Sequence, residues 1–319
     1  DEPDRKVPWQ LTLDIDKDLV AVSNTPIVRE LALDRARKRV EFAPTARLPS
    51  YLIAFAIGPF DVVAAGTTRS GVPIRFFMQR GRASDTSCAA PRVVPILDAL
   101  EQWFEIPYPY GKVDFVAVPQ TGVGWGGMEN PGLITVSEEI IRDTLSNPDA
   151  RELWPTFASH ELAHQWFGNL VTMAWWDDIW LNEGFAVWMA AKIVAQLDPG
   201  AKMYGASPRS VSIRPPIDKT GSVDVLRDYM GGDQGARFLR MLEAFIGPAK
   251  FQQAIRAYVR KHAHGNATTA DLMAIVNAAA GRSLDHTFAA YLDRKDTPSL
   301  TVTARCDGRR PRLLVSQHA

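Results

Sequence analysis

His160-Glu161-Leu162-Ala163-His164, followed after eighteen intervening residues by Glu183 in Trp180-Leu181-Asn182-Glu183-Gly184-Phe185-Ala186, is the stretch on which fold and chemistry turn. On a helix, residues four apart share a face, so both imidazoles can reach one metal ion. Glu161 falls at the edge of that face, placed to work on a metal-bound water rather than to ligate. Neutral imidazole nitrogen suits zinc, which in catalytic sites takes three protein ligands and leaves one position open. Glu183 opens the next amphipathic helix and can supply the third ligand. Its bland alternative is a carboxylate that stabilises a helix N-terminus.

Upstream, Gly126-Gly127-Met128-Glu129-Asn130 sits between two expected strands, Val113 to Val118 and Leu133 to Val136. Glycines let backbone approach a ligand closely, and Glu129 brings a carboxylate able to hold a cationic group. Read alone, the segment is a Gly-rich turn with a solvated Glu. Around these motifs helices dominate. Ile96, Leu97, Leu100, Trp103 and Phe104 recur at three- and four-residue spacing, and helices are expected over Glu152 to Phe167 and Glu183 to Leu197. Asp198-Pro199-Gly200 stops the latter. Further helices follow at Leu239 to Ile246, Phe251 to Val259 and Leu272 to Ala280.

The first sixty-odd residues read differently. Leu11, Leu13 and Ile15 alternate with polar residues, as do Val40 and Phe42, and Tyr51 to Ile57 form a continuous run of the buried-strand kind. The last twenty residues return to alternation. The expectation is an α+β chain in three parts: residues 1–65 as a partial β-domain, 66–298 as the catalytic domain, and 299–319 as the stub of a C-terminal β-domain.

Composition narrows the function classes. Lys+Arg and Asp+Glu balance at 36 each, so no global field draws nucleic acid or an anionic membrane. The longest apolar run is strand-sized, whereas a spanning helix needs about 20 residues. Two distant cysteines, Cys88 and Cys306, make neither a disulfide framework nor a thiolate metal site, and one bridge stays open. The opening Asp1-Glu2-Pro3 is neither a signal peptide nor an initiator start. A processed or truncated soluble product is expected, its compartment (periplasmic, secreted or cytoplasmic) unassigned. His262, His264, His286 and His318 read as structural or solvent-facing. Trp166, Trp175, Trp176, Trp180 and Trp188 read as core and pocket walls.

Together these segments resemble the M1 family of zinc aminopeptidases, of the gluzincin group. The resemblance covers Asp1-Glu2-Pro3, Gly126 to Asn130 (Gly127 standing for the family's alanine), His160 to Ala186 and Gly265-Asn266-Ala267-Thr268-Thr269. It implies a thermolysin-like catalytic domain after an all-β N-terminal domain, with one Zn²⁺ held by His160, His164 and Glu183. It also implies that Glu161 is the general base acting on a zinc-activated water. Glu129 would bind the α-ammonium of a peptide's free N-terminus, with Gly126 and Gly127 lining the peptide. The pattern departs at one place. Where the family carries a tyrosine that stabilises the oxyanion, this chain has Gly232, and the nearest tyrosine is Tyr229. A runner-up reading is therefore a zinc-binding M1-like protein with weak or no peptidase activity. A thermolysin-like endopeptidase fits less well, because Glu129 would block chain continuation past the amine. Asn169 and Asp177 or Asp178 are expected partners of the zinc histidines, Gln120 a candidate pocket residue, and truncation invites self-association.

Overall fold

The computed structural model describes residues 2–119, 126–200, 213–214, 217, 232–293, 299–307 and 310–318. Gln120, Tyr229 and Asp1 lie outside the described residues. The chain begins as β-structure: β1 (Thr12–Asp16), β2 (Val20–Ser23), β3 (Ile27–Ala32), β4 (Arg37–Phe42) and β5 (Phe55–Gly58). β1, β4 and β3 form an antiparallel sheet in that order, and β2 pairs with β5. The alternation at Leu11, Leu13 and Ile15 turns these residues toward Ala21, Val40 and Phe42, as half-buried strands require. The run from Tyr51 to Ile57 is not one buried strand. Ser50–Leu52 form a 3₁₀ turn, and in β5 Phe55 and Ile57 face outward, because the two-stranded ribbon has an open face.

A five-stranded sheet follows in the order β6 (Phe60–Thr67), β7 (Pro73–Gln79), β8 (Val113–Val118), β10 (Leu133–Ser137), β9 (Gly127–Met128). The expected boundary near Gly66 falls inside β6. β7, β8 and β10 run parallel, while β6 and β9 are antiparallel edges. β8 is buried along almost its whole length, apolar except for Asp114, whose charge is met by Arg75 and Lys112. Helix α1 (Val93–Phe104) crosses from β7 to β8 and buries Val93, Ile96, Leu97, Leu100 and Phe104.

The remaining helices are α2 (Glu138–Ser146), α3 (Pro148–Ala163), α4 (Trp180–Leu197), α5 (Gly232–Ile246), α6 (Pro248–His262), α7 (Thr269–Ala280) and α8 (Asp285–Leu292). A short parallel pair, β11 (Val171–Met173) with β12 (Gly265–Ala267), ties the α3–α4 connection to the end of α6. The chain closes in a hairpin, β13 (Ser299–Asp307) with β14 (Arg310–His318), matching the expected late strands. Cys88 and Cys306 are both free thiols. Among the described residues no helix is long and apolar enough to cross a membrane.

The β-rich start is tied to the helical part by buried polar bonds. Lys6 Nζ donates to the carbonyls of Asn169 at 3.0 Å, Leu170 at 3.3 Å and Gly265 at 2.8 Å. Asn266 Nδ2 donates to Pro3 O at 2.8 Å. At Gly132 the two parts nearly touch. Its φ is +71°, and an added Cβ would stand 2.1 Å from Asn24 O, a backbone atom with no way to yield. Gly132→Ala combines left-handed strain with overpacking and is expected to cost roughly 3 kcal/mol or more. A thermal melt checks this; an unchanged Tm would contradict it.

Candidate active site

Helix α3 is started by Asn147, whose side chain accepts the Asp149 N–H. Its last residue is Ala163, so the expected helix to Phe167 ends four residues early, with His164 at the C-cap. His164 N still donates to His160 O at 3.2 Å, and this last turn keeps the two imidazoles on one face. Their Nε2 atoms stand 3.0 Å apart with the rings edge to face. His164 Nδ1 lies 3.0 Å from Phe167 O. A carbonyl only accepts, so Nδ1 carries the proton and the Nε2 lone pair faces the shared point.

Glu183 enters from α4. It sits in that helix's first turn, its N–H bonded to Ile179 O at 3.1 Å. Its Oε2 is 3.5 Å from His160 Nε2 and 3.8 Å from His164 Nε2. The height of α4 is set by a glycine-on-glycine contact with α5, where a Cβ on Gly184 would stand 3.0 Å from Gly235 Cα. Among the described residues, His160, His164 and Glu183 are the group of donor atoms close enough to hold one metal ion. Two nitrogen donors and a carboxylate converging on one point is a set suited to Zn²⁺.

Glu161 and Glu129 share this space. A Cβ on Gly127 would stand 2.9 Å from Glu161 Oε1, so Gly127 leaves room for that carboxylate beside the Glu129 loop. Gly127 and Met128 form edge strand β9 against Val136 and Thr135, which converts the Gly-rich loop into a defined rim. The Glu129 carbonyl accepts from Asn169 Nδ2 at 2.7 Å and Gln165 Nε2 at 3.1 Å. Asn169 thus grips the loop rather than a histidine. Asp178 likewise turns away, accepting from Thr269 N and Oγ1 at the start of α7. The outer partner of His164 is backbone, a group that no sequence motif marks.

Burial and mutual charge set the ionisation here. Desolvation pushes Glu161 up to about 7, partly opposed by His160 and His164. Desolvation, reinforced by the charge of Glu183, pushes Glu129 up to about 7. For Glu183, burial opposes ionisation, yet His164 and the hydrogen bond from His160 hold its carboxyl low. For His160, burial favours the neutral ring, but the bond and charge of Glu183 prevail and raise it to about 9. Burial lowers His164.

Tyr51 is a residue of this site that sequence reading missed. Its ring packs on Trp176 with centroids 5.2 Å apart. Its buried hydroxyl lies against Asn182, within reach of the charges of Glu129 and Glu183. Gly232 begins α5 with its Cα against α4: a Cβ there would meet Glu183 Cβ and O at 3.5 Å. Trp166, Trp180 and Trp188 are fully buried under the site, as expected of core. His262 bonds Asn266 O away from it.

In the metal-free chain a divalent cation must displace the His160 proton, whose pKa is raised to about 9. Apparent metal affinity is therefore expected to climb about tenfold per pH unit up to about pH 9 and then level. Chelator competition measures this; a flat profile between pH 7 and 9 would contradict it.

Residues 89–291 match the Peptidase family M1 domain, and residues 1–52 the Peptidase M1 N-terminal domain. Aminopeptidase M1-B of Oryza sativa subsp. japonica is 34% identical over 323 residues, covering 97% of this chain and 36% of that protein. The Puromycin-sensitive aminopeptidase of Caenorhabditis elegans is 32% identical over 334 residues, covering 99% of this chain and 35% of that protein. The Leucyl aminopeptidase of Saccharolobus solfataricus is 32% identical over 331 residues, covering 95% and 40%. The chain thus spans about a third of the length of such relatives. An all-β N-terminal part leads into a helical part that carries the paired histidines on the end of α3 and the matched sequence across it, and on these grounds the chain belongs to peptidase family M1.

Proposed function

We propose that this chain carries the catalytic centre of a zinc-dependent aminopeptidase that releases the N-terminal residue from peptides. The observation that carries the reading is the convergence of His160, His164 and Glu183 within one buried space that also holds Glu161 and Glu129. The aminopeptidase names of the relatives support it. His160, His164 and Glu183 would hold one Zn²⁺, which when bound supplies Lewis acidity to a carbonyl and acidity to a water.

The chain's own groups then have separable tasks. Glu161, desolvated and at about 7, is poised near neutral pH to take a proton and pass it to the leaving amine. Glu129 is buried and, by itself, reluctant to ionise. An α-ammonium beside it removes that reluctance, since opposite charge favours the carboxylate. Peptide N-termini are the substrates that bring such a charge. Asn169 and Gln165 fix the Glu129 backbone, so the carboxylate stands at a set place relative to the two Nε2 atoms. That fixed span is what would restrict cleavage to the first peptide bond.

Glu129→Ala is expected to raise KM for aminoacyl amides by about 10²-fold or more, an ion pair in a desolvated site being worth about 3 kcal/mol. Steady-state kinetics on free-amine and N-acetylated substrates checks this. An unchanged KM, with acetylated substrates still rejected, would remove the role.

A further inference from the structure

We propose that Asn24, in the β-rich N-terminal part, is a positioning residue for Glu129. The inference rests on the ammonium-binding reading of Glu129. Asn24 follows β2 and is buried at 4% exposure. All of its amide is committed. Oδ1 accepts from Ala54 N at 2.9 Å, and Nδ2 donates to Leu52 O and to Pro131 O, each at 2.9 Å. Pro131 is two residues beyond Glu129. Leu52 ends the 3₁₀ turn that carries Tyr51. One side chain therefore fixes the spacing between the Glu129 loop and the Tyr51 turn, two segments of the same site that come from different parts of the chain.

A second bond runs parallel to it. Lys112 Nζ donates to Ser23 O and to Gly132 O, both at 2.7 Å, with its charge met by Asp114 Oδ2 at 2.7 Å. Asp114 is in turn held by both guanidinium bonds of Arg75 at 2.8 Å. Asn169 and Gln165 hold the carbonyl of Glu129 itself. Only Asn130 lies between that carbonyl and Pro131, and on the N-terminal side the pairing of Gly127 and Met128 with β10 holds the chain up to Glu129. A short segment pinned at both ends has few ways to move, which is how a buried carboxylate is kept where a substrate ammonium will arrive. The Asn24 backbone completes the fit, its carbonyl oxygen filling the space that a Cβ on Gly132 would need.

Asn24→Asp keeps the acceptor for Ala54 N but sets a carboxylate oxygen against two carbonyls in place of the N–H donors. Asn24→Ala removes the bonds without adding charge and serves if the aspartate variant does not fold. Val40→Ala, within the core of the three-stranded sheet, is the control for loss of stability alone. Positioning predicts that KM for free-amine aminoacyl amides rises between about tenfold and a hundredfold in the Asn24 variants, with kcat and bound zinc little changed. It also predicts faster amide hydrogen exchange across residues 126–133, a readout that needs no turnover. Val40→Ala should change neither. Unchanged KM and exchange in the Asn24 variants, or an equal KM rise in Val40→Ala, would overturn the proposal. Glu129→Ala separates the two levels. If it raises KM while the Asn24 variants do not, only this inference falls. If it leaves KM unchanged, the ammonium reading fails and takes this inference with it.

Discussion

Glu129, Glu161 and Glu183 share a desolvated space with His160 and His164, and the cost of burying three carboxylates together is the constraint to which the surrounding packing answers. Burial is the main cause that raises Glu129 and Glu161 to about 7, and the charge of Glu183 adds to it at Glu129. Only Glu183 is held low, and it is held by the histidines. The nearby buried ammonium groups are engaged elsewhere, Lys112 with Asp114 and Lys6 with three carbonyls. Within the site the His160 imidazolium is the cation that meets Glu183, a metal ion would take its place, and a substrate ammonium would bring the charge that Glu129 lacks.

Keeping such groups together needs rigid supports, and each is a packing event at some distance from the chemistry. The Phe167 carbonyl orients His164, while the Phe167 ring stacks on Phe185 of α4 at 4.3 Å. One residue thus links the end of α3 to the helix that carries Glu183. Trp166 stacks on Phe104 of α1 at 4.7 Å, fixing the same corner against the sheet. The Gly184–Gly235 contact then sets how deeply α4 enters. Side chains with no polar role decide where the polar ones stand, because close-packed interiors transmit small displacements.

Much of this was legible in the sequence, for a physical reason. Residues His160, Glu161, His164 and Glu183 are read through helical periodicity, a local property, and Glu129 through the glycines beside it. What was not legible depends on contacts between distant segments. Tyr51 to Ile57 reads as a buried strand, yet Tyr51 turns into the site and Phe55 turns to solvent, a choice made by the β2–β5 ribbon. Asn169 reads as a partner for histidine but reaches the Glu129 carbonyl forty residues away. β6 crosses Gly66 because its register is set by β7, which alternation in β6 itself does not encode.

If these five groups make one hydrolytic centre, zinc-loaded protein turns over a panel of aminoacyl chromogenic amides, with Glu161→Ala as the blank. Release of the chromophore should vanish on chelation and in Glu161→Ala, and return when zinc is restored to the unsubstituted chain. Stoichiometric zinc with no turnover of any amide, or turnover that survives in Glu161→Ala, would contradict that reading.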